Sequence, residues 1–370
     1  MKVKKLFGIF LISIVVYIFF ASNNRYLPIE DLDIPAGTSI DLIQEGVRGK
    51  EYLVASSVYN FREGKSEPNL ILEGKSDTIA ESREIRQLFA AHKYLSGSAK
   101  VYVFGEKMSE SGIRDMIKLA FANPLAVDIT YNVVCEGNAL DILKLQIKGY
   151  SNSSEYIEGM IRTASNYNFF SNNYKHMDVY ARVDSEGRNL VLPYIKIENN
   201  MLKISGMALF KSDKMIKKID MKEAKVMNML RENKVTGLIT LKEGSRAYLN
   251  FYAMSSRKVT CKKEGDKYTF YIDLKLIGDV ISNTAYPNLA NNSEDKKRLE
   301  DDINVVVEKM CNEFIDKMKN EYKVDCLDLG RVAAAKYGRK TGVDWNEIIR
   351  KSEIKVTVKA SIDRMGRGDF

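Results

Sequence analysis

Sixteen consecutive uncharged residues, Leu6 to Ala21, follow Lys2, Lys4 and Lys5 and give way to Ser22-Asn23-Asn24-Arg25. Leu6 to Phe20 is apolar on every face, unlike the one-sided stripe of a helix packed on a core. A basic start before such a stretch is an address for export, and the lysines favour the cytoplasmic side. At about 1.5 Å per residue the stretch spans about 24 Å, slightly less than a hydrocarbon core of about 30 Å. A cleavable signal ends in small residues, whereas Ala21 follows Phe19 and Phe20. We therefore expect residues 1–25 to be a retained, slightly short anchor whose lysines snorkel, with removal near Ser22 as the alternative.

Beyond the anchor the pattern alternates between strand and helix periods. Tyr26 to Ile43 is acidic and turn-rich, with Pro28, Pro35 and Gly37. Tyr52 to Phe61 reads as a strand and Ile79 to Leu95 as a helix. Lys100-Val-Tyr-Val-Phe-Gly105 is a buried-strand pattern closed by glycine. Ile113, Met116, Ile117, Ala120 and Phe121 share one helical face, and Asn123-Pro124 stops that helix. Ile129 to Cys135 predicts a strand and Ala139 to Ile147 a helix, so this stretch is a small α/β or α+β layer. A helix over Tyr156 to Tyr167 precedes the polar, tyrosine-rich Asn168 to Tyr174, and Asp184-Ser185-Glu186-Gly187 forms a turn.

Glu198-Asn199-Asn200 separates two apolar strands and is the expected boundary between an N-terminal α+β region, 26–198, and a C-terminal α+β domain, 201–370. Leu202 to Phe210 and Met215 to Ile219 predict a hairpin around Ser212-Asp213. A short helix spans Lys222 to Arg231, and three or four strands fill Gly237 to Gly278, punctuated by Gly244 and Gly265. Asn291 to Tyr322 is a long helix with Glu294 and Asp295 in its first turn, where the dipole favours acid. Its stripe of Leu299, Ile303, Val306, Val307, Met310, Phe314 and Met318 is expected to pack on the sheet. Ile354, Val356, Val358, Ala360 and Ile362 alternate with polar residues and predict a closing strand. The expected fold class is multi-domain α+β, with mixed sheets packed against helices behind an anchor helix.

Composition narrows the function classes. With 45% hydrophobic and 29% charged residues and six prolines, the chain is ordinary globular material. A net charge of +8 arises from 57 basic against 49 acidic residues, interspersed along the chain, which is no nucleic-acid signature. The densest basic stretch, Lys211 to Lys225, also carries Asp213, Asp220 and Glu223 and reads as a solvated surface, with contact to anionic lipid as the alternative. Cys135, Cys261, Cys311 and Cys326 are widely spaced, as free, buried thiols would be.

No catalytic, cofactor-binding or metal-ligating set stands out. The two histidines, His92 and His176, lie outside any HExxH pattern, and GxSxG, GxGxxG, GxxxxGK[ST] and paired CxxC are absent. His92 is expected on a helix end and His176 in a solvated loop. Asp31-x-Asp33 starts like a calcium loop but runs into Pro35-Ala36, and Leu42 stands where its closing glutamate belongs. Glu300-Asp301-Asp302 diverge around a helix by about 100° per residue and read as a solvated face. Asp344 is placed to cap a helix with Trp345 packed beneath it.

From Lys100 onward the chain resembles the C-subunit family of spore germinant receptors, Ger(x)C. Lys100-Val-Tyr-Val-Phe-Gly-Glu106 with Ser111-Gly112-Ile113 resembles that family's strand, Gly-Glu and Gly-Ile block. Asn138-Ala-Leu-Asp-Ile-Leu143 resembles the following helix. Ile204-Ser-Gly-Met-Ala-Leu-Phe-Lys211, then Asp213-Lys214, is similar to the Gly-x-Ala-x-Phe-Lys segment that opens its C-terminal domain. Asp325-Cys-Leu-Asp-Leu-Gly330, Trp345 and Ile354 to Gly366 match its closing helix, Trp and strand in order and spacing. The resemblance implies a non-enzymatic subunit on the extracytoplasmic face of the inner spore membrane. It would assemble there with integral membrane subunits into a nutrient-sensing complex. Two departures stand out: the lipid-modified cysteine usual after the signal is absent, and Ser96-Gly97-Ser98 stands where many members have histidine. An extracytoplasmic ligand-binding or hydrolytic domain is the alternative reading.

Overall fold

The computed structural model describes residues 8, 10–18, 28–47, 49–59, 70–95, 97–242, 247–285, 293–339 and 342–364. Residues 10–18 are helical (α1), while most of the expected anchor, including its lysines and Ser22 to Arg25, lies outside the described residues. Among the described residues no helix is long and apolar enough to cross a membrane.

The first part of the chain runs β1 (Leu32–Asp33), β2 (Pro35–Gly46), β3 (Gly49–Val58), β4 (Leu70–Ser76), α2 (Glu81–Phe89), β5 (Lys93–Tyr94) and β6 (Val101–Phe104). It continues with α3 (Glu106–Ser111), α4 (Arg114–Ala122), β7 (Tyr131–Cys135), α5 (Ala139–Lys144), α6 (Ser153–Ala164), α7 (His176–Val183) and β8 (Val191–Glu198). Then come β9 (Met201–Lys211), β10 (Lys214–Asp220), α8 (Met221–Arg231), β11 (Val235–Lys242), β12 (Tyr248–Glu264) and β13 (Lys267–Asn283). Last are α9 (Ser293–Lys317), α10 (Leu329–Tyr337), α11 (Trp345–Lys351) and β14 (Glu353–Arg364).

A mixed sheet of eight strands in the order β10-β9-β8-β7-β6-β2-β3-β4 forms the first layer. Its centre, β2, β6, β7 and β8, is parallel and buried on both faces. Period-2 alternation divides the core accordingly. Val101, Val103, Val133 and Cys135 face one side, and Tyr102, Phe104 and Val134 face the other. The second side is covered by Met108 of α3, Ile113, Met116 and Ile117 at α4, and Val179 of α7. The first side is covered by Ile142 of α5, Ile157 and Ile161 of α6, and Met227 and Leu230 of α8. Through α8 this core runs without a break into a second sheet of four strands, β11-β12-β13-β14, and into α9.

Asn199 and Asn200, both at positive φ, make the two-residue turn that pairs Glu198 with Met201. That turn suits asparagine, which tolerates the left-handed region. The eight-stranded sheet is continuous through it, β8 pairing with β9.

Several expectations need correction. Pro35 to Ile43, read as turn-rich, is the start of the central strand β2. Proline is tolerated at a first strand position, and Gly37 is there because a Cβ would lie 2.1 Å from Ser154 Oγ. The helix expected to Leu95 ends at Phe89, and β5 follows, pairing with β1. The three or four strands expected over Gly237 to Gly278 are three among the described residues, as expected, with β12 and β13 of 17 residues each. Val306 points away from the core, while Cys311 and Ile315 join the buried stripe of α9. Glu300 is not solvated but bonded to the closing strand: Ile362 N–H donates to its Oε1 at 2.8 Å. All four cysteines are free and buried.

Candidate functional site: an ionic junction between the sheets

The closing segment Asp325 to Gly330 turns back toward the first sheet and meets residues brought from far along the chain. Arg231, last residue of α8, is almost wholly buried there. Its Nη1 donates to the Cys326 carbonyl at 2.6 Å and faces Asp328 Oδ1 at 3.2 Å, while Nη2 donates to the Asn189 carbonyl at 3.1 Å. Nε faces Glu232 Oε1 at 3.3 Å, and Glu232 Oε2 accepts from Asn173 Nδ2 at 3.0 Å. Neighbouring carboxylates push the Arg231 pKa up in spite of its burial. From β12, Arg257 Nη1 donates to the Leu327 carbonyl at 2.8 Å and to that of Leu230, and its pKa is lowered to about 10 by burial.

Asp325 organises the same turn. Its carboxylate accepts from Leu327 N at 3.1 Å and Gly330 N at 2.7 Å. Asn346 Oδ1 accepts from Asp325 N at 2.9 Å and from Asn189 Nδ2 at 2.7 Å. Asp344 caps α11 through Asn346 N and Glu347 N, and Trp345 is buried with its Nε1 donating to Glu186 Oε1 at 3.0 Å. Gly187 and Gly330 allow this approach: a Cβ on Gly330 would meet Trp345 Cβ at 2.9 Å and Gly187 Cα at 3.0 Å.

A second contact ties β10 and the turn before it to the helices of the first layer. Arg114 pairs with Asp184 and, at 3.4 Å, with Asp213. Lys218 Nζ reaches Glu106 Oε1 at 2.9 Å.

Chemically the junction is a lock. Its carboxylates are held by guanidinium groups or backbone N–H, and burial drives the Cys326 thiol pKa upward, away from the reactive thiolate. Burial also raises Asp325 to about 6. An acid whose folded pKa is raised gives stability that is present below the unfolded value and lost as pH rises through the folded one. The Asp325→Asn variant should remove about 3 kcal/mol of stability change between roughly pH 4 and 6, seen by subtracting its urea-unfolding profile from that of the parent.

The two histidines are not brought together. His92 sits at a bend, its N–H donating to Asp33 Oδ2 at 3.4 Å. His176, expected in a solvated loop, is the first residue of α7, buried edge-on against Tyr102, and burial lowers its pKa. Among the described residues no group of three or more His, Cys, Asp or Glu is placed to hold a metal.

Two family models divide the chain at the Asn199-Asn200 hairpin. One, the spore germination protein N-terminal domain, matches residues 25–197. The other, the C-terminal domain of spore germination B3/GerAC-like proteins, matches residues 205–366. The chain belongs to this GerAC-like family. Two relatives agree: spore germination protein GerQC of Bacillus cereus is 23% identical over 282 residues, 73% of this chain and 75% of the relative. Spore germination protein B3 of Bacillus subtilis (strain 168) is 24% identical over 357 residues, 91% of this chain and 92% of the relative. The crystal structure of the GerBC protein shares the mixed α+β fold, with a TM-score of 0.54 at 17% identity over 88% of this chain and 97% of that one. A germinant-receptor C-subunit family thus gives this chain a role in spore germination. Parts of the blocks that carry the sequence resemblance lie at these two contacts: Asp325 to Gly330 and Trp345 at the lock, and Glu106, Gly112 and Asp213 at the other.

Proposed function

We propose that this chain is a membrane-tethered subunit of a spore nutrient germinant receptor, acting by assembly with integral membrane subunits and by signal relay rather than catalysis. In this reading Leu6 to Ala21 remains as the tether, and residues 26–198 and 201–370, joined by the β8–β9 pairing and a shared core, stand on the extracytoplasmic face of the inner spore membrane.

One observation supports the reading: the end of the first sheet at which β2 begins, just after Pro28, carries several exposed apolar side chains. Pairing places Pro35, Val58, Leu70, Val101 and Tyr131 at that end. Around it Leu88, Phe89, Leu125 and Ile129 are 83%, 69%, 60% and 65% exposed, and Ile29 and Leu70 are also exposed. Exposed apolar side chains gathered at the sheet end that follows the expected anchor in the chain favour burial against lipid or a membrane partner over exposure to water. The hydrolytic alternative would need converging free carboxylates or an accessible shifted histidine. The junction carboxylates are instead engaged, and His176 is shifted by burial.

Full-length chain recovered from detergent-solubilised spore membranes should bring integral membrane subunits with it. The pair Leu88→Asp with Phe89→Asp should cut that recovery about fivefold or more while the chain stays in the membrane fraction. Unchanged nutrient germination after gene deletion would defeat the reading. A mature N-terminus near Ser22 by mass spectrometry would defeat the retained tether alone.

A further inference from the structure

Two hollows of about 430 and 480 Å³ flank α10, and Arg331 lines both. At about 100° per helical residue, Val332, Ala335 and Lys336 fall on one side of Arg331 and Ala334 on the other, so Arg331 stands on the ridge between them. The first hollow is completed by Arg257 of β12 and the second by Arg188 and Arg339.

Five cations thus line the pair, and the carboxylates among them are already engaged. Asp328 Oδ1 faces Arg231 at 3.2 Å, Asp184 pairs with Arg114, and Glu186 Oε1 accepts from Trp345 Nε1 at 3.0 Å. The cations are used less evenly. Arg257 is held by the Leu230 and Leu327 carbonyls, and Lys336 Nζ donates to the Cys261 carbonyl at 2.8 Å. Arg331 and Arg339 are exposed, and neither side chain has a hydrogen bond or ion pair among the described residues. Burial above all, and then Arg331 and Arg231 beside it, pull the Arg188 pKa down against the opposing effect of Asp328. Arg86 of α2, also buried, is by contrast spent on the Val54 carbonyl at 3.3 Å and Ser82 Oγ at 3.0 Å.

We propose that the groove along α10 docks an acidic segment of a partner polypeptide in extended form, its carboxylates pairing with Arg331, Lys336 and Arg339. Three features select this occupant. Guanidinium forks take carboxylates two bonds at a time, and clustered arginines are a recurring way of reading acidic peptides. The cations lie on both sides of the ridge, where a single small anion would fill one hollow and leave the other. An extended segment sets side chains two apart about 6.6 Å from each other and so reaches across. The interspersed acids, Asp184, Glu186 and Asp328, oppose a phosphate chain, which carries charge at every unit. A peptide instead sets backbone N–H groups or hydroxyls beside them. The inference goes beyond the membrane-subunit reading, and its failure would leave recovery of the integral membrane subunits unaffected.

Fluorescence anisotropy on the full-length chain in non-ionic detergent tests it with a labelled Gly-Glu-Ser-Glu-Ser-Glu-Gly peptide and the same peptide carrying glutamine for glutamate. Tripolyphosphate and glycerol phosphate serve as competitors. The acidic peptide should bind at about 0.3 mM or tighter, and the glutamine peptide at least about tenfold more weakly. Arg331→Gln with Arg339→Gln should weaken binding about fivefold or more. Both positions are exposed and unpartnered, so the fold is kept. Lys118→Gln with Lys148→Gln, the same change of charge at exposed positions elsewhere, should leave binding as it is. No binding at about 1 mM, equal binding of the two peptides, or equal affinity in the two double variants would each overturn the proposal. So would displacement by either phosphate compound at lower concentration than by the unlabelled acidic peptide.

Discussion

Arg231→Ala should destabilise the protein by about 3–5 kcal/mol, because it removes the nearest cation from two buried carboxylates at once and leaves Asp328 only Arg188, at 3.9 Å. Glu232 and Asp328 are both almost fully buried, and with Arg231 gone the Cys326 and Asn189 carbonyls lose their donors too. Arg231→Lys should recover only part of the loss. A point charge cannot serve Glu232, Asp328 and two carbonyls from the positions the guanidinium fork occupies. Combining Arg231→Met with Glu232→Gln and Asp328→Asn should be less damaging than Arg231→Ala alone, since the uncompensated charges go with their partner. Urea unfolding of the four proteins reads this out. A loss below about 1 kcal/mol for Arg231→Ala would mean that the ion pairs do not hold the closing segment Asp325 to Gly330 against α8.

Much of the fold was legible along the chain because local periods dictated it. The alternation in Lys100 to Gly105, the helical stripe from Ile113 to Phe121 and the Ser212-Asp213 turn each produced the expected element. The failures share a cause. Pro35 to Ile43 looks like a turn because proline and glycine usually end strands. Here the glycine fits under Ser154, a contact made by a residue more than a hundred positions away. Glu300 looks solvated because its acceptor role depends on β14, which follows some fifty residues later.

The junction was half legible. Asp325 to Gly330 and Trp345 stand out through their order and spacing, and Asp344 announces its cap. Arg231, Arg257, Glu232 and Asn189 give no signal, since each sits among ordinary neighbours and gains its role from the chain's return. Arg86 is equally silent: an arginine on an amphipathic helix is by default a solvated one. Its burial comes from β3, whose Val54 carbonyl it reaches across 32 residues of sequence. Charged groups of this kind are where sequence pattern and tertiary environment disagree, and such disagreements concentrate at joints and sites.

Replacing Glu300, Asn304 and Glu308 together by alanine should open the outer edge of β14 and lower stability by about 3 kcal/mol, roughly 1 kcal/mol for each bond lost. These three residues are spaced four apart on α9, and β14 pairs in parallel with β13 on its other side. Val358 N–H donates to Glu308 Oε1 at 2.8 Å, Ala360 N–H to Asn304 Oδ1 at 2.7 Å, and Ile362 N–H to Glu300 Oε1 at 2.8 Å. The match is geometric. Four helical residues advance about 6 Å and two strand residues about 6.6 Å, so every outward N–H of this stretch meets one side chain. An uncovered edge of that length is a template for another strand. The triple variant should therefore self-associate in light scattering, and the amides of Val358, Ala360 and Ile362 should exchange faster. Glu300→Gln with Glu308→Gln keeps an acceptor oxygen at each position and should behave like the parent. Association by that conservative pair would show that surface charge, rather than the covered edge, keeps the sheets apart.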